Sequence, residues 1–222
     1  MKSGATMKRL ALALGAVVLF SGALTACVPL VVGGAMAGGS LLAIDRRTSG
    51  AQLEDEGIEL RAGSRIRGTF GDRVHVNLTS YNRQVLLTGE VPSAQDKQQV
   101  EQVVTAVENV TAVVNELAVT GQTSLSQRSN DTFITGRVKA MLLDARDLQS
   151  NAFKVVTERG SVYLMGRVTQ READRATQVV RSTPGVQKVI RVFEVISEQE
   201  LARLAPPVKP PPPAPVARPA DN

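Results

Sequence analysis

The sequence predicts an α+β fold built twice, and three observations carry that expectation. Val85-Leu86-Leu87-Thr88-Gly89-Glu90-Val91 returns seventy-seven residues later as Val162-Tyr163-Leu164-Met165-Gly166-Arg167-Val168. Gln102-Val103-Val104 and the downstream Val110 return as Gln178-Val179-Val180 and Val186 at a spacing of seventy-six, so one residue was gained or lost between the two landmarks. Around each landmark the pattern runs helix, strand, strand, helix, strand. Self-similarity at a fixed period means two copies of one supersecondary unit. Each copy is about 70 residues, near the size at which a lone core is marginal, so docking of the copies on one another is expected.

In the first copy a helix is expected from Glu54 to Phe70, strands around Val74 to Leu78 and Val85 to Val91, a helix from Ala94 to Glu108, and a last strand within Val110 to Val119. In the second, Ile134, Val138, Met141 and Leu142 fall at i, i+4, i+7 and i+8 and gather on one face of a helix spanning Asp131 to Asp144. Ser129 or Asn130 is suited to cap its start. Phe153 and Val155, then Val162 and Leu164, alternate on either side of Arg159-Gly160, as a hairpin requires. A helix from Arg171 to Ser182 is stopped by Pro184-Gly185, and Val186 to Ile196 supplies the last strand. Asn109 stands where the second copy has Gly185, and Asn is among the few residues that tolerate a left-handed helix exit. A hairpin followed by a helical crossover makes a three-stranded mixed sheet, with both helices covering one face.

The two ends of the chain differ from this body. Lys8-Arg9, an apolar run from Leu10 to Phe20 and small residues leading to Leu24-Thr25-Ala26-Cys27 have a secretory signal layout. The last four residues resemble a bacterial lipobox, in which the cysteine becomes the acylated first residue. An uncleaved anchor is the other reading, but the run is short of the ~20 residues of a spanning helix. Val28 replaces the aspartate that would retain a lipoprotein in the inner membrane, and Met7 can serve as the start in place of Met1. The expected division is 1–26 signal peptide, 27–50 acylated Cys27 with a Gly/Ala-rich tether, 51–120 first module, 121–128 linker, 129–196 second module, and 197–222 a short helix and a polyproline II tail. Paired glycines in the tether leave a glycine-mediated helix contact in the membrane as the alternative there.

No catalytic constellation emerges, and neither enzyme activity nor a cofactor is expected. His75 is the sole histidine and Cys27 the sole cysteine, which excludes a metal site of the usual N/S type. His75 itself reads as a surface strand residue. The carboxylates are scattered over polar helix faces, and no phosphate-binding glycine loop or G-x-S-x-G occurs. Nucleic acid is not an expected partner, because two tyrosines on an exported chain offer little stacking surface.

The duplicated Val-x-Leu-x-Gly-x-Val, the polar helix and Pro-Gly-Val-x-x-Val resemble BON domains. Together with the lipobox, the Gly/Ala tether, Asp45-Arg46-Arg47, Leu53-Glu54-Asp55 and Ser129-Asn130-Asp131-Thr132, the whole resembles the dual-BON outer-membrane lipoproteins up to about residue 196. The proline tail departs from that pattern. The resemblance implies two tandem αββαβ modules on a non-enzymatic, periplasm-facing lipoprotein of the outer membrane that supports envelope integrity at division sites. It also implies that the first helix of the second module binds anionic phospholipid of the inner leaflet. A tryptophan in that contact corresponds here to Phe133, which keeps an aromatic ring but lacks the indole N–H suited to headgroup level.

The residues support such a site independently. At 100° per residue the apolar positions Ile134, Val138, Met141 and Leu142 lie between about 80° and 180°, whereas Phe133, Gly136, Ala140 and Leu143 lie between about 280° and 360°. Arg137 and Lys139 flank this second face. An apolar face edged by cations needs a partner, either a bilayer interface or the first module. In the first copy the same positions are Gly57, Leu60, Ser64 and Arg67, which lose most of the apolar surface. Residues 51–120 carry net charge −4 and 128–205 carry +4, so only the second module suits an anionic surface. The competing expectation is a protein-interaction scaffold whose second face docks an outer-membrane assembly or peptidoglycan-remodelling partner.

Overall fold

The computed structural model describes residues 45–204. The signal, Cys27, the tether and the proline tail therefore lie outside the described residues. In order, the elements are α1 (Ser49–Phe70), β1 (His75–Tyr81), β2 (Gln84–Val91), α2 (Ala94–Thr105), β3 (Ala112–Asn115), β4 (Ala118–Val119), α3 (Leu125–Asp144), β5 (Lys154–Glu158), β6 (Ser161–Val168), α4 (Gln170–Arg181), β7 (Lys188–Val195) and α5 (Glu198–Leu204). Each module is αββαβ with a mixed sheet: β1 is antiparallel to β2 and β5 to β6, while β2 is parallel to β3 and β4, and β6 to β7. The last strand of the first module breaks at Glu116-Leu117, where Leu117 turns into the core and its N–H donates to Asn115 Oδ1. Its counterpart β7 runs unbroken beside β6.

The first helix of each module begins earlier than its apolar periodicity suggests, at Ser49 and Leu125. Ser124, and neither Ser129 nor Asn130, caps α3: its Oγ accepts from Gln127 N while Gln127 Oε1 accepts from Ser124 N. The helix thus takes up residues read as linker. Thr48 caps α1 in the same way, seventy-six positions before Ser124, with Oγ1 accepting from Ala51 N. Ser93 and Thr169 repeat the relation at α2 and α4. The offset of seventy-seven is therefore confined to the hairpin: the second copy gains one residue between its first helix and the hairpin, and Pro92 of the first copy has no partner where Val168 runs directly into the cap, which restores seventy-six. At the exits of α2 and α4, Asn109 and Gly185 both adopt positive φ, 67° and 96°, as the alignment of the copies implied.

Helices cover only one side of each sheet. Val85, Leu87 and Val91 pack with Ile58, Ala62, Ile66, Val100 and Val104, and Val162, Leu164 and Val168 pack with Ile134, Val138, Leu142, Ala176 and Val180. The intervening residues face the other way. Leu86, Tyr81, Tyr163, Met165 and Val192 form a third buried cluster in which the two sheets meet. Polar contacts stitch its edges: Asn77 Nδ2 donates to Glu158 at 2.9 Å, Asn82 Nδ2 to Glu194 at 2.7 Å, and Lys154 Nζ lies 3.3 Å from Glu59. Burial, with Glu116 and Glu158 nearby, pushes the Tyr163 phenol up to about 12. His75, half-buried, sets Nδ1 2.9 Å from Oε2 of Glu90, a fully buried carboxylate that also accepts from Thr123.

A carboxylate from the first helix of each module holds the hairpin turn. Asp55 accepts from Asn82 N, Arg83 N and Ser80 Oγ, at 2.8, 2.7 and 2.6 Å, and its counterpart Asp131 accepts from Arg159 N and Gly160 N, both at 2.8 Å. The turn residues need this support because Asn82, Arg83 and Arg159 carry positive φ. Neither aspartate is one of the scattered surface acids expected from the sequence; both are buried.

The repeated glycine also has a steric cause. A Cβ on Gly89 would collide with the carbonyl oxygen of His75, and one on Gly166 with that of Ala152. Gly166→Ala is expected to lower stability by at least about 2 kcal/mol, through overpacking against a fixed backbone, with unchanged β-sheet signature in the surviving folded fraction. Urea unfolding followed by circular dichroism measures it, and a loss under about 0.5 kcal/mol would contradict the clash.

Burial raises the Asp55 carboxyl, but the Ser80 hydroxyl, the Arg83 and Asn82 N–H groups and the Arg47 guanidinium outweigh it and hold it below its ordinary 3.8. A depressed carboxylate contributes stability above its unfolded value and loses it as pH falls through the folded one. Stability is therefore expected to fall as the pH drops below the ordinary carboxylate range. Asp55→Asn should cost about 3 kcal/mol at neutral pH and flatten that acid limb, as unfolding titrations across pH will show.

Candidate functional site

The second module's first helix, α3, is twenty residues long, about 30 Å. Asp131, Ile134, Val138 and Leu142 are buried against β5 and β6, so the inner face follows from the side chains that match the sheet. Met141, expected on that face, is 38% exposed. It lines a groove with Arg175 and Val179 of α4 instead.

The six residues anticipated on the second face, Phe133, Gly136, Arg137, Lys139, Ala140 and Leu143, are all exposed. Phe133 is 69% and Leu143 70% exposed, so neither is covered by the first module, whose contact with the second runs through the sheets. The early start of α3 adds a residue that the shorter expected helix missed. Leu125, 80% exposed, precedes Leu143 by eighteen positions, five full turns, and so shares its azimuth. Leu125 therefore adds an apolar group about 27 Å from Leu143 on the same face, with the polar Ser129 and Thr132 between it and Phe133. Ser124-x-x-Gln127, a capping box, was the sequence signal for it.

Cations edge the stripe. Arg137 donates from Nη1 to the Pro184 carbonyl at 3.4 Å, a long bond that leans its head over the loop before β7. Lys139 borders a shallow groove with Leu142, Leu143, Ser150, Asn151, Phe153 and Asp45. On α1 the corresponding surface is less bare of apolar groups than the aligned positions implied. Leu53 and Leu60 are both exposed there, on one face and two turns apart, but Gly57, Ser64 and Arg67 fill the rest.

The described residues contain no cluster of three His, Cys, Asp or Glu placed to hold a metal, and none of their helices is long and apolar enough to cross a membrane. Among the described residues there are open grooves lined by mixed charges, one of them between Arg46, Arg146, Leu148, Glu172 and Leu201. What the geometry offers is a surface: one apolar stripe, exposed along a rigid helix and flanked by arginine and lysine. Sequence reading also gave no role to Arg46, which is buried and whose partners lie more than a hundred residues away, or to the half-buried Arg47, which holds Asp45 and Asp55 nearby.

Comparison with known proteins agrees with this architecture. The BON domain family model matches residues 55–121 and 130–197, one match per module. The chain is 37% identical over 193 residues to the outer membrane lipoprotein DolP of Haemophilus influenzae, covering 86% of this chain and 97% of that one. It is 31% identical over 155 residues to the 21 kDa hemolysin of Actinobacillus pleuropneumoniae, covering 69% and 80%. It is 32% identical over 117 residues to the osmotically-inducible protein Y of Escherichia coli, covering 51% and 58%. With both modules matched by one family model and nearly the full length of a lipoprotein relative aligned, the chain belongs to the BON-domain family, as a DolP-like dual-BON outer-membrane lipoprotein.

Proposed function

We propose that the protein is anchored through acylated Cys27, faces the periplasm, and binds anionic phospholipid of the inner leaflet through the outer face of α3, without enzymatic activity. The observation that carries this reading is the exposed Leu125–Phe133–Leu143 stripe, which the sheet-to-sheet docking of the modules leaves open. Phe133 and Leu143 supply apolar area, Gly136 and Ala140 keep the stripe low enough for close approach to headgroups, and Arg137 and Lys139 meet phosphates. The +4 balance of residues 128–205, against −4 in 51–120, selects this module for an anionic surface. Support for envelope integrity at division sites follows from the family resemblance, and is the cellular setting we assign to this contact.

Magnitudes explain why an anchor is needed. Burying Phe133 and Leu143 is worth roughly 1.5–3 kcal/mol each and each cation near the leaflet about 1 kcal/mol. After the cost of association, such a contact is no better than micromolar to millimolar. A membrane tether converts it into an intramolecular event at high effective concentration.

Phe133→Glu is expected to reduce binding to phosphatidylglycerol-containing vesicles about 10–100-fold with the fold intact, while Leu60→Glu on α1 leaves it unchanged. Co-sedimentation over a range of salt and anionic lipid content checks this. Binding indifferent to anionic content and salt would assign the stripe to a protein partner of the envelope and overturn the lipid reading.

A further inference from the structure

Asp45-Arg46-Arg47, the point at which the chain joins the modules, is held by both of them. Arg46 belongs by sequence to the first module yet binds the second. Its Nη1 and Nη2 fork onto Glu172 at 2.7 Å each, Nη1 also donates to the Arg167 carbonyl at 2.8 Å, and Nη2 to Gln149 Oε1 at 3.2 Å. Both side chains of the ion pair are only 4% exposed. Glu172 is at the same time the capping-box partner of Thr169, accepting from its N–H at 3.0 Å, so Arg46 completes the start of α4. The next residue turns the other way. Arg47 donates to Asp55 at 2.8 Å and to Asp45 at 2.7 Å, and its guanidinium stacks 4.3 Å from the ring of Tyr81 in the inter-sheet cluster. Consecutive arginines are thus pinned to opposite modules, Arg46 through partners more than a hundred residues away.

The position of this staple matters. Asp45 shares a groove with Lys139 and Leu143, the C-terminal end of the outer face of α3. Eighteen residues, 27–44, separate Cys27 from this staple, so the chain leading to the anchor joins the described residues beside that end of α3. An attachment beside Lys139 and Leu143 brings that face to the surface holding the anchor, whereas one on a distant side would hold it away.

We propose that Arg46 is a positioning residue: with Arg47 it staples the membrane tether to both modules beside the end of α3, so that the anchored protein presents the α3 stripe, and not α1, to the bilayer. This rests on the lipid reading of α3 given above, and the test separates the two.

The full-length acylated protein, reconstituted in phosphatidylglycerol-containing vesicles, is labelled at one introduced thiol, Ala140→Cys on α3 or Leu60→Cys on α1, and quenched by brominated lipid. With Arg46 intact, quenching at 140 is expected to exceed that at 60 at least fivefold. Arg46→Ala should bring that ratio below twofold while the protein stays anchored, since every variant keeps Cys27. Where Arg46→Ala disrupts folding, Arg46→Gln, which keeps an N–H donor but loses the charged fork onto Glu172, is expected to lower the ratio in the same way, and Arg46→Lys to lower it less. An unchanged ratio in folded Arg46→Ala or Arg46→Gln overturns the staple alone. Absence of quenching at 140 in the unsubstituted background overturns the lipid reading and the staple with it.

Discussion

Two small sheets, each apolar on both sides and each covered by helices on only one, constrain everything else in the molecule. In β2 the alternation places Val85 and Leu87 toward the helices and Leu86 away from them; in β6 it places Val162 and Leu164 toward the helices and Tyr163 and Met165 away. A strand with a period of two cannot bury both sets against one layer. Burying the second sets against each other removes them from water without lengthening the chain. It also fixes where the helices lie, on the outside, each with one face committed and one face free. Exposure of the α3 stripe is therefore a consequence of the sheet-to-sheet contact. Had the modules docked helix to sheet, Phe133 and Leu143 would be the natural surface to lose.

Duplication supplies the scaffold and divergence the site. Caps at Thr48 and Ser124 and at Ser93 and Thr169, hairpin clamps at Asp55 and Asp131, and the helix exits at Asn109 and Gly185 keep one relation of seventy-six residues. None of these roles favours one module over the other in contact with a partner. The differences sit on surfaces: the outer positions of α3 and α1, and the opposite charge of the two halves. Arg46 and Arg47 belong to neither category, since they have no counterpart among the devices of the second module and act between the copies.

Local physics was legible in the sequence, and long-range physics was not. Helix and strand identities, the mixed sheet and the buried Ile134, Val138 and Leu142 all follow from periods of 3.6 and 2 within short windows. The six outward residues of α3 were equally visible, because a helix wheel needs no tertiary information. Leu125 lay beyond the apolar repeat, although Ser124 and Gln127 announced the true start. Met141 was assigned by azimuth alone, and azimuth does not reveal the open groove that the neighbouring α4 leaves beside it. Asp131 looked like a first-turn surface acid, since nothing local reveals that two turn amides will come to rest on it. Glu172 read as an ordinary residue of a polar helix, and its burial depends on an arginine 126 positions earlier.

Most sequence positions in the two copies have drifted apart, yet Val-x-Leu-x-Gly-x-Val is readable in both. The valines and leucines survive exchange among aliphatic residues, which blurs a repeat without breaking it. The glycine has no such latitude. At Gly89 and Gly166 a carbonyl oxygen, of His75 in β1 and of Ala152 in the turn just before β5, occupies the space where every other residue keeps its first side-chain carbon. Those two positions act as fixed marks against which the rest of the duplication can be aligned, and they record the common origin of the halves in the one residue type that drift cannot replace.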